Sequence, residues 1–160
     1  MHYSNSDIRR QDRLLNEVAA RKLLIEGEFA VLSMQAENGG AYAVPISYVW
    51  DGKGSVFFHC AKEGRKLRCI EICNNVSLCI VGRTHVISGK FTTEYESIIL
   101  DGKAFISILS EERMKALELF LDKYSPADKT AGMKYATNSF AKTEIVRLDI
   151  DSWSGKCKNL

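Results

Sequence analysis

Short β-rich segments, each closed by a tight-turn signal, recur along the first half of this chain and constrain its fold more than any other feature. Asn38-Gly39-Gly40 separates segment 29–34 from segment 41–50, and Asp51-Gly52-Lys53-Gly54 separates that from segment 55–61. Turns of this composition supply the positive φ that two-residue hairpins need. Three strands joined by hairpins are therefore expected. Pro45 interrupts the second of them. Lacking an N–H, it marks a sheet edge, a bulge, or a place where a ligand lies along the backbone.

The rest of the chain adds strands and a few helices. Residues 76–82 are uniformly apolar and read as a buried strand, and 140–150 as a last one. Segment 91–109 carries Asp101-Gly102 and reads as one bent strand or two paired ones. Leu15, Val18, Ala19 and Leu23 fall on one helical face that Gly27 would stop. A short helix over 63–74 would open after Gly64. Ser110 is placed to cap a third helix, with Glu111 and Glu112 in its first turn and Met114, Leu117 and Leu121 as its buried face. Residues 124–139 read as irregular or weakly helical. The expected whole is a single domain over 1–160, mainly β with peripheral helices: a small antiparallel barrel, with a sandwich as the alternative.

Composition narrows the function classes. The net charge of +2 over 160 residues is too small to argue for nucleic acid by itself, and no nucleic-acid partner is expected. No apolar run reaches the roughly 20 residues of a membrane span, so no membrane partner is expected. The polar first 21 residues lack the apolar core of a secretion signal. Five cysteines, an odd number, then fit reduced thiols and a cytoplasmic location. Cys69 and Cys73 are four apart, half of a metal site at most, and no second pair at ligand spacing joins them. Buried, inert thiols and no metal are expected.

Three segments are unusual for a plain barrel: Val44-Pro45-Ile46-Ser47-Tyr48, Phe58-His59-Cys60-Ala61-Lys62-Glu63-Gly64-Arg65-Lys66, and Phe91-Thr92-Thr93-Glu94-Tyr95-Glu96-Ser97. In the second, a strand ends, a glycine follows and a helix begins beside Arg65 and Lys66. Such a helix start suits a phosphate, or is a solvated basic turn. His59 lies at a strand end and faces opposite to Phe58, as a structural or a catalytic histidine. Glu94 and Glu96 share one strand face as surface charge or as an acid–base pair. No dinucleotide fingerprint, Walker A loop or G-x-S-x-G is present.

Together these segments resemble the nitroimidazole-resistance (Nim-type) branch of the pyridoxamine 5'-phosphate oxidase-like superfamily. Tyr42-Ala43-Val44-Pro45-Ile46-Ser47-Tyr48-Val49, Asp51-Gly52-Lys53, Phe57-Phe58-His59-Cys60-Ala61, then Gly64 and Lys66 are similar to its flavin-binding core. The run from Phe91 through Ser97 to Ile99, with Gly102-Lys103-Ala104, is similar to its second block, Asp122-Lys123-Tyr124-Ser125-Pro126 to a third, and Ser154-Gly155-Lys156 to its closing strand. The similarity extends over residues 10–156.

The resemblance implies an FMN-binding split β-barrel that works as a homodimer, with flavin in a groove at the subunit interface. FAD, deazaflavin or heme in the same groove are the alternatives. By that analogy Val44, Pro45, Ile46, Ser47 and Tyr48 lie along the isoalloxazine ring. His59, Cys60 and Ala61 approach the ribityl chain and phosphate, and Gly64 and Lys66 hold the phosphate. Glu96 and Ser97 touch the ring or ribityl chain, and Trp153 reaches the partner's site. The resemblance further implies a flavin-dependent reductase of a small-molecule acceptor such as a nitro-aromatic drug, with His59 as the catalytic side chain. A flavin-binding stress or redox-sensing module is the rival reading. Cys60 stands where the family often has serine. The tail Cys157-Lys158-Asn159-Leu160 has no arginine- and tryptophan-rich substrate segment, so oxidation of vitamin B6 is not expected.

Overall fold

The computed structural model describes residues 1–158; Asn159 and Leu160, the end of the tail just mentioned, lie outside the described residues. Eight strands form one sheet: β1 (His2–Tyr3), β2 (Ala30–Gln35), β3 (Ala41–Ile46), β4 (Val49–Trp50), β5 (Ser55–Ala61), β6 (Asn75–Ile87), β7 (Thr92–Phe105) and β8 (Thr143–Lys158). Four helices flank it: α1 (Glu17–Glu26), α2 (Arg65–Ile72), α3 (Ser110–Tyr124) and α4 (Lys129–Ser139). Pairing runs β3-β2-β6-β7-β8-β5-β4, antiparallel throughout, with β1 added to β8 in parallel.

β3 and β4 stand at opposite ends of this order, yet only Ser47 and Tyr48 separate them in the chain. The sheet must therefore curl until its ends meet, which makes it a barrel. β3 pairs with β2 alone, and β4 is too short to cover β5 beyond Phe57. The barrel is thus split, with the free edge of β3 on one side and Phe58–Ala61 of β5 on the other. Pro45 sits on that free-edged strand, where its missing N–H costs no ladder bond.

Alternation along the strands fills two cores. Leu32, Ile46, Val56, Phe58, Leu78, Ile98, Leu100 and Leu148 point into the barrel. Val49, Phe57 and Ile145 point outward and are covered by Ala116 and Phe120 of α3. Gly102 lies where β7 shifts register against β8; a Cβ there would stand 2.0 Å from the carbonyl oxygen of Asp149.

Several expectations are corrected. Asn16 caps α1, its side chain accepting from the Ala19 N–H at 2.9 Å, so Leu15 precedes the helix. The buried face is then Ala20, Leu23 and Leu24, and Val18 is 80% exposed. Ser110 is the first helical residue of α3 and makes no capping bond; Leu109 occupies the cap position. The face of α3 is shifted as well: Ala116 and Phe120 are buried, and Met114, Leu117 and Leu121 are half-buried. Residues 129–139 form the regular helix α4. Segment 91–109 holds one bent strand, β7, and the last strand runs on to Lys158.

The corner between β3 and β4 is held by the end of α3. The Tyr124 hydroxyl accepts from the Tyr48 N–H at 3.1 Å and lies 2.8 Å and 2.7 Å from the carbonyl oxygens of Tyr48 and Glu28. Lys123 Nζ donates to the same Tyr48 carbonyl at 3.1 Å and lies 3.8 Å from the centre of the Tyr48 ring. The Tyr48 side chain is fully buried, its hydroxyl donating to the Leu24 carbonyl. Burial pushes the Lys123 amine down to about 8. Among the described residues no helix is long and apolar enough to cross a membrane.

Two outcomes are expected. Tyr124→Phe strands a backbone N–H and should cost about 1–3 kcal/mol, read as a lower denaturation midpoint at unchanged m-value. Lys123 releases its proton in the folded chain at a lower pH than in the unfolded chain. Between about 8 and the ordinary lysine range the unfolded state therefore binds more protons at this group, and its contribution to stability rises with pH. Buried thiols and phenols such as Cys79 and Tyr124 pull the other way over this range, so the Lys123 contribution is read as the difference between wild type and Lys123→Met in denaturation at stepped pH, which should grow with pH in favour of the wild type.

Candidate functional site

The split brings two of the three unusual segments together. On β3, Tyr42, Val44 and Ile46 point into the barrel, leaving Ala41, Ala43 and Pro45 exposed. A free strand edge with small outward side chains leaves room for a flat molecule on the backbone. Ser47 is exposed beside it. Tyr48 does not share that openness: its backbone N–H and carbonyl are taken by Tyr124 and Lys123, so Tyr48 serves as a structural anchor at the end of the groove.

Across the split, Phe58 and Cys60 point inward while His59 and Ala61 face out. Gly64 follows at φ 152°, a backbone conformation open to glycine, and gives the chain its turn into α2. The first turn of α2 has no side-chain cap and no acidic residue. Its orphan N–H groups, the positive end of the helix and two cations lie at one point. Arg65 reaches back over the Tyr42 ring of β3 at 4.3 Å, and Lys66 lies 5.6 Å from the centre of the Phe58 ring. The sequence reading had left Arg65 without a specific contact; its bridge to β3 depends on a fold that sets residue 65 against residue 42.

His59 has a further neighbour that sequence reasoning missed. Its ring meets Phe120 of α3 edge-on at 4.8 Å, and Phe120 stacks on Tyr124 at 5.9 Å. The imidazole is thereby connected to the clamp at Tyr48. Burial, and then the charge of Lys66, lowers the His59 pKa, so the ring is neutral at pH 7. Burial pushes the Cys60 thiol up, against the opposing pull of Lys66, and the thiol is not poised as a nucleophile.

Glu96 and Ser97 do not join this group within one chain. Ser97 is paired with Lys156 on β8, whereas His59 is paired with Ile145 on the same strand. That interval is about 36 Å of strand path at roughly 3.3 Å per residue. Glu96 instead fills the space left by Gly82 and accepts from the Arg83 N–H at 3.2 Å. Glu94 lies 3.4 Å from His85. Trp153 is corrected outright: it is 2% exposed in the barrel core, edge-on to Tyr3 at 4.7 Å, and has no surface to offer a partner. All five cysteines are free, and among the described residues no cluster of three metal-ligating side chains forms.

The chain can now be set beside known proteins. Three solved structures share its fold at low identity. A candidate 5-nitroimidazole antibiotic resistance protein of Bacteroides thetaiotaomicron is 16% identical, with a TM-score of 0.73 over 91% of this chain and 86% of that one. An FAD-binding protein of Mesorhizobium loti is 17% identical, with a TM-score of 0.65 over 92% and 98%. An FAD and heme binding protein of Mycobacterium smegmatis is 19% identical, with a TM-score of 0.70 over 92% and 74%. No curated protein matches the chain. The family model for pyridoxamine 5'-phosphate oxidase matches residues 16–157. This chain, a split barrel with peripheral helices, belongs to the pyridoxamine 5'-phosphate oxidase family.

Proposed function

We propose that this chain binds FMN in a groove shared by two copies of itself and passes electrons through it to a small acceptor, nitro-aromatic compounds among them. The observation that carries this reading is the uncapped start of α2, where Gly64, Arg65 and Lys66 gather beside the unpaired edges of β3 and β5. A phosphate monoester fits that chemistry: orphan N–H groups and two cations at a helix amino end. The open backbone of Val44, Pro45 and Ile46, with exposed Ser47, suits a flat ring system. Cys60 and Ala61 line the stretch between. Solved relatives of the same fold are described as flavin-binding, which supports the cofactor class.

Glu96 and Ser97 lie far along the strand path from His59 in one chain, so their implied role at the flavin requires a second subunit. Val81, paired with Ser97, and Ile99, two residues further along β7, are 48% and 44% exposed and offer apolar surface for that contact. When bound and reduced by a nicotinamide or another donor, the flavin supplies the electrons. The protein positions it, excludes water and presents the neutral His59 imidazole to the acceptor. Five free thiols suit a reducing, cytoplasmic setting. A second reading keeps the same groove for FAD, deazaflavin or heme, or for a flavin held as a redox sensor without turnover; the FAD- and heme-binding relative favours keeping it in view.

Purified protein mixed with FMN and desalted should retain flavin absorbance; loss of all flavin on the column would refute the FMN reading. Lys66→Ala should weaken FMN about tenfold or more and leave riboflavin, which lacks the phosphate, unchanged. His59→Ala should keep its flavin while reduction of a nitro-aromatic acceptor falls by about a hundredfold. Unchanged turnover in that variant would remove His59 from the reaction.

A further inference from the structure

The His59–Phe120 pair borders a cavity on the α3–α4 side of the barrel, away from the start of α2. Its volume is about 450 Å3, within the usual range of small-molecule sites, and it opens between α3, α4 and the ends of β5 and β8. Its walls are mainly apolar: Leu117, Phe120, Leu121, Tyr135 and Ala136. Gly132 lets α4 press against α3 beside it, since a Cβ there would stand 2.4 Å from a Leu121 methyl group. Tyr135 is 75% exposed at the rim, an aromatic ring left without cover.

The polar groups lining this cavity are His59, Ser125, Asp128, Ser139 and Thr143, and two of the hydroxyls are already committed as donors. Ser139 donates its hydroxyl hydrogen to the Tyr135 carbonyl at 2.8 Å, and Thr143 donates its own to the Ser139 carbonyl at 3.1 Å. Both hydroxyls therefore face a ligand as acceptors. Asp128 contributes a carboxylate with no ion-pair partner among the described residues; the adjacent Lys129 is drawn away to Asp122 at 2.6 Å. No lysine or arginine lines the cavity. The amino end of α4 carries about half a positive charge, less than the full negative charge of Asp128 beside it. The apolar walls suit an occupant that is flat and apolar for most of its surface, and Asp128, with no lysine or arginine in the lining, suits one that brings positive charge.

We propose that this cavity binds a small cationic aromatic molecule, an aryl amidine, with its ring between Phe120 and Tyr135 and its nitrogen at Asp128. The site is separate from the phosphate-binding start of α2 and does not depend on flavin being bound. It gives the His59 face of the barrel a second ligand of charge opposite to that of the flavin phosphate.

Benzamidine and benzoate, alike in shape and opposite in charge, test this by titration into isotope-labelled full-length protein at neutral pH. Benzamidine should shift the Gly132 amide and the His59 ring signals in a saturable way, and benzoate should bind about tenfold more weakly or worse. Asp128→Asn should weaken benzamidine about fivefold or more, and Ala131→Trp, at the exposed rim, should abolish both titrations. Benzoate binding as well as benzamidine, shifts confined to other parts of the chain, or equal benzamidine affinity in Asp128→Asn would overturn the proposal. The comparison of the two probes on the wild type stands even if a variant fails to fold.

Discussion

Two residues, Ser47 and Tyr48, join the strands that stand first and last in the hydrogen-bonded order, and the barrel depends on keeping that joint closed. Backbone polar groups at such a corner have no ladder partner and must be satisfied otherwise. Tyr124 and Lys123 do this from the end of α3, taking both the N–H and the carbonyl of Tyr48. The same contact draws α3 across the outer face of β4 and β5, where Ala116 and Phe120 cover Val49, Phe57 and Ile145. One interaction thus closes the barrel, builds the second core and places Phe120 against His59.

Closing the corner also leaves the split open. β4 begins only at Val49, opposite Phe57, so β5 beyond Phe57 and the outer edge of β3 keep free backbone facing the start of α2. Exposed strand edges are normally paired or covered. Here small side chains on β3 and the cations of α2 leave the edges accessible to an anionic, planar ligand. Glu96 and Ser97 stand on β7, where Ser97 pairs with Lys156 of β8, while His59 pairs with Ile145 at the other end of that strand.

Much of this was legible in local sequence. The hairpin turns place β5 at residues 55–61, and Pro45 narrows its strand to an edge, a bulge or a ligand-lined backbone, of which the structure shows the edge, because glycine and proline act through their own backbone geometry. Helix faces were less legible. Leu15 and Val18 fit a helical period, but Asn16 starts α1 later and Val18 ends up in solvent. The apolar pattern of the last strand runs out at Ile150, but pairing with β7 and β1 carries β8 on to Lys158. The contacts of His59 with Phe120, Arg65 with Tyr42 and Tyr124 with Tyr48 join positions remote in the chain, and no spacing rule encodes them. Block resemblance singled out the segments on either side of the split where periodicity did not, and it set Trp153 at the partner's site, whereas that side chain is buried in the barrel core.

Subunit mixing tests the shared groove most directly. Lys66→Ala and Glu96→Ala homodimers, each poor in FMN retention, are denatured together, refolded and desalted with FMN. If each groove takes Lys66 from one chain and Glu96 from the other, a mixed dimer carries one intact groove and one doubly impaired groove, and about a quarter of all grooves regain flavin. No recovery above the parent variants would contradict a groove built from two chains.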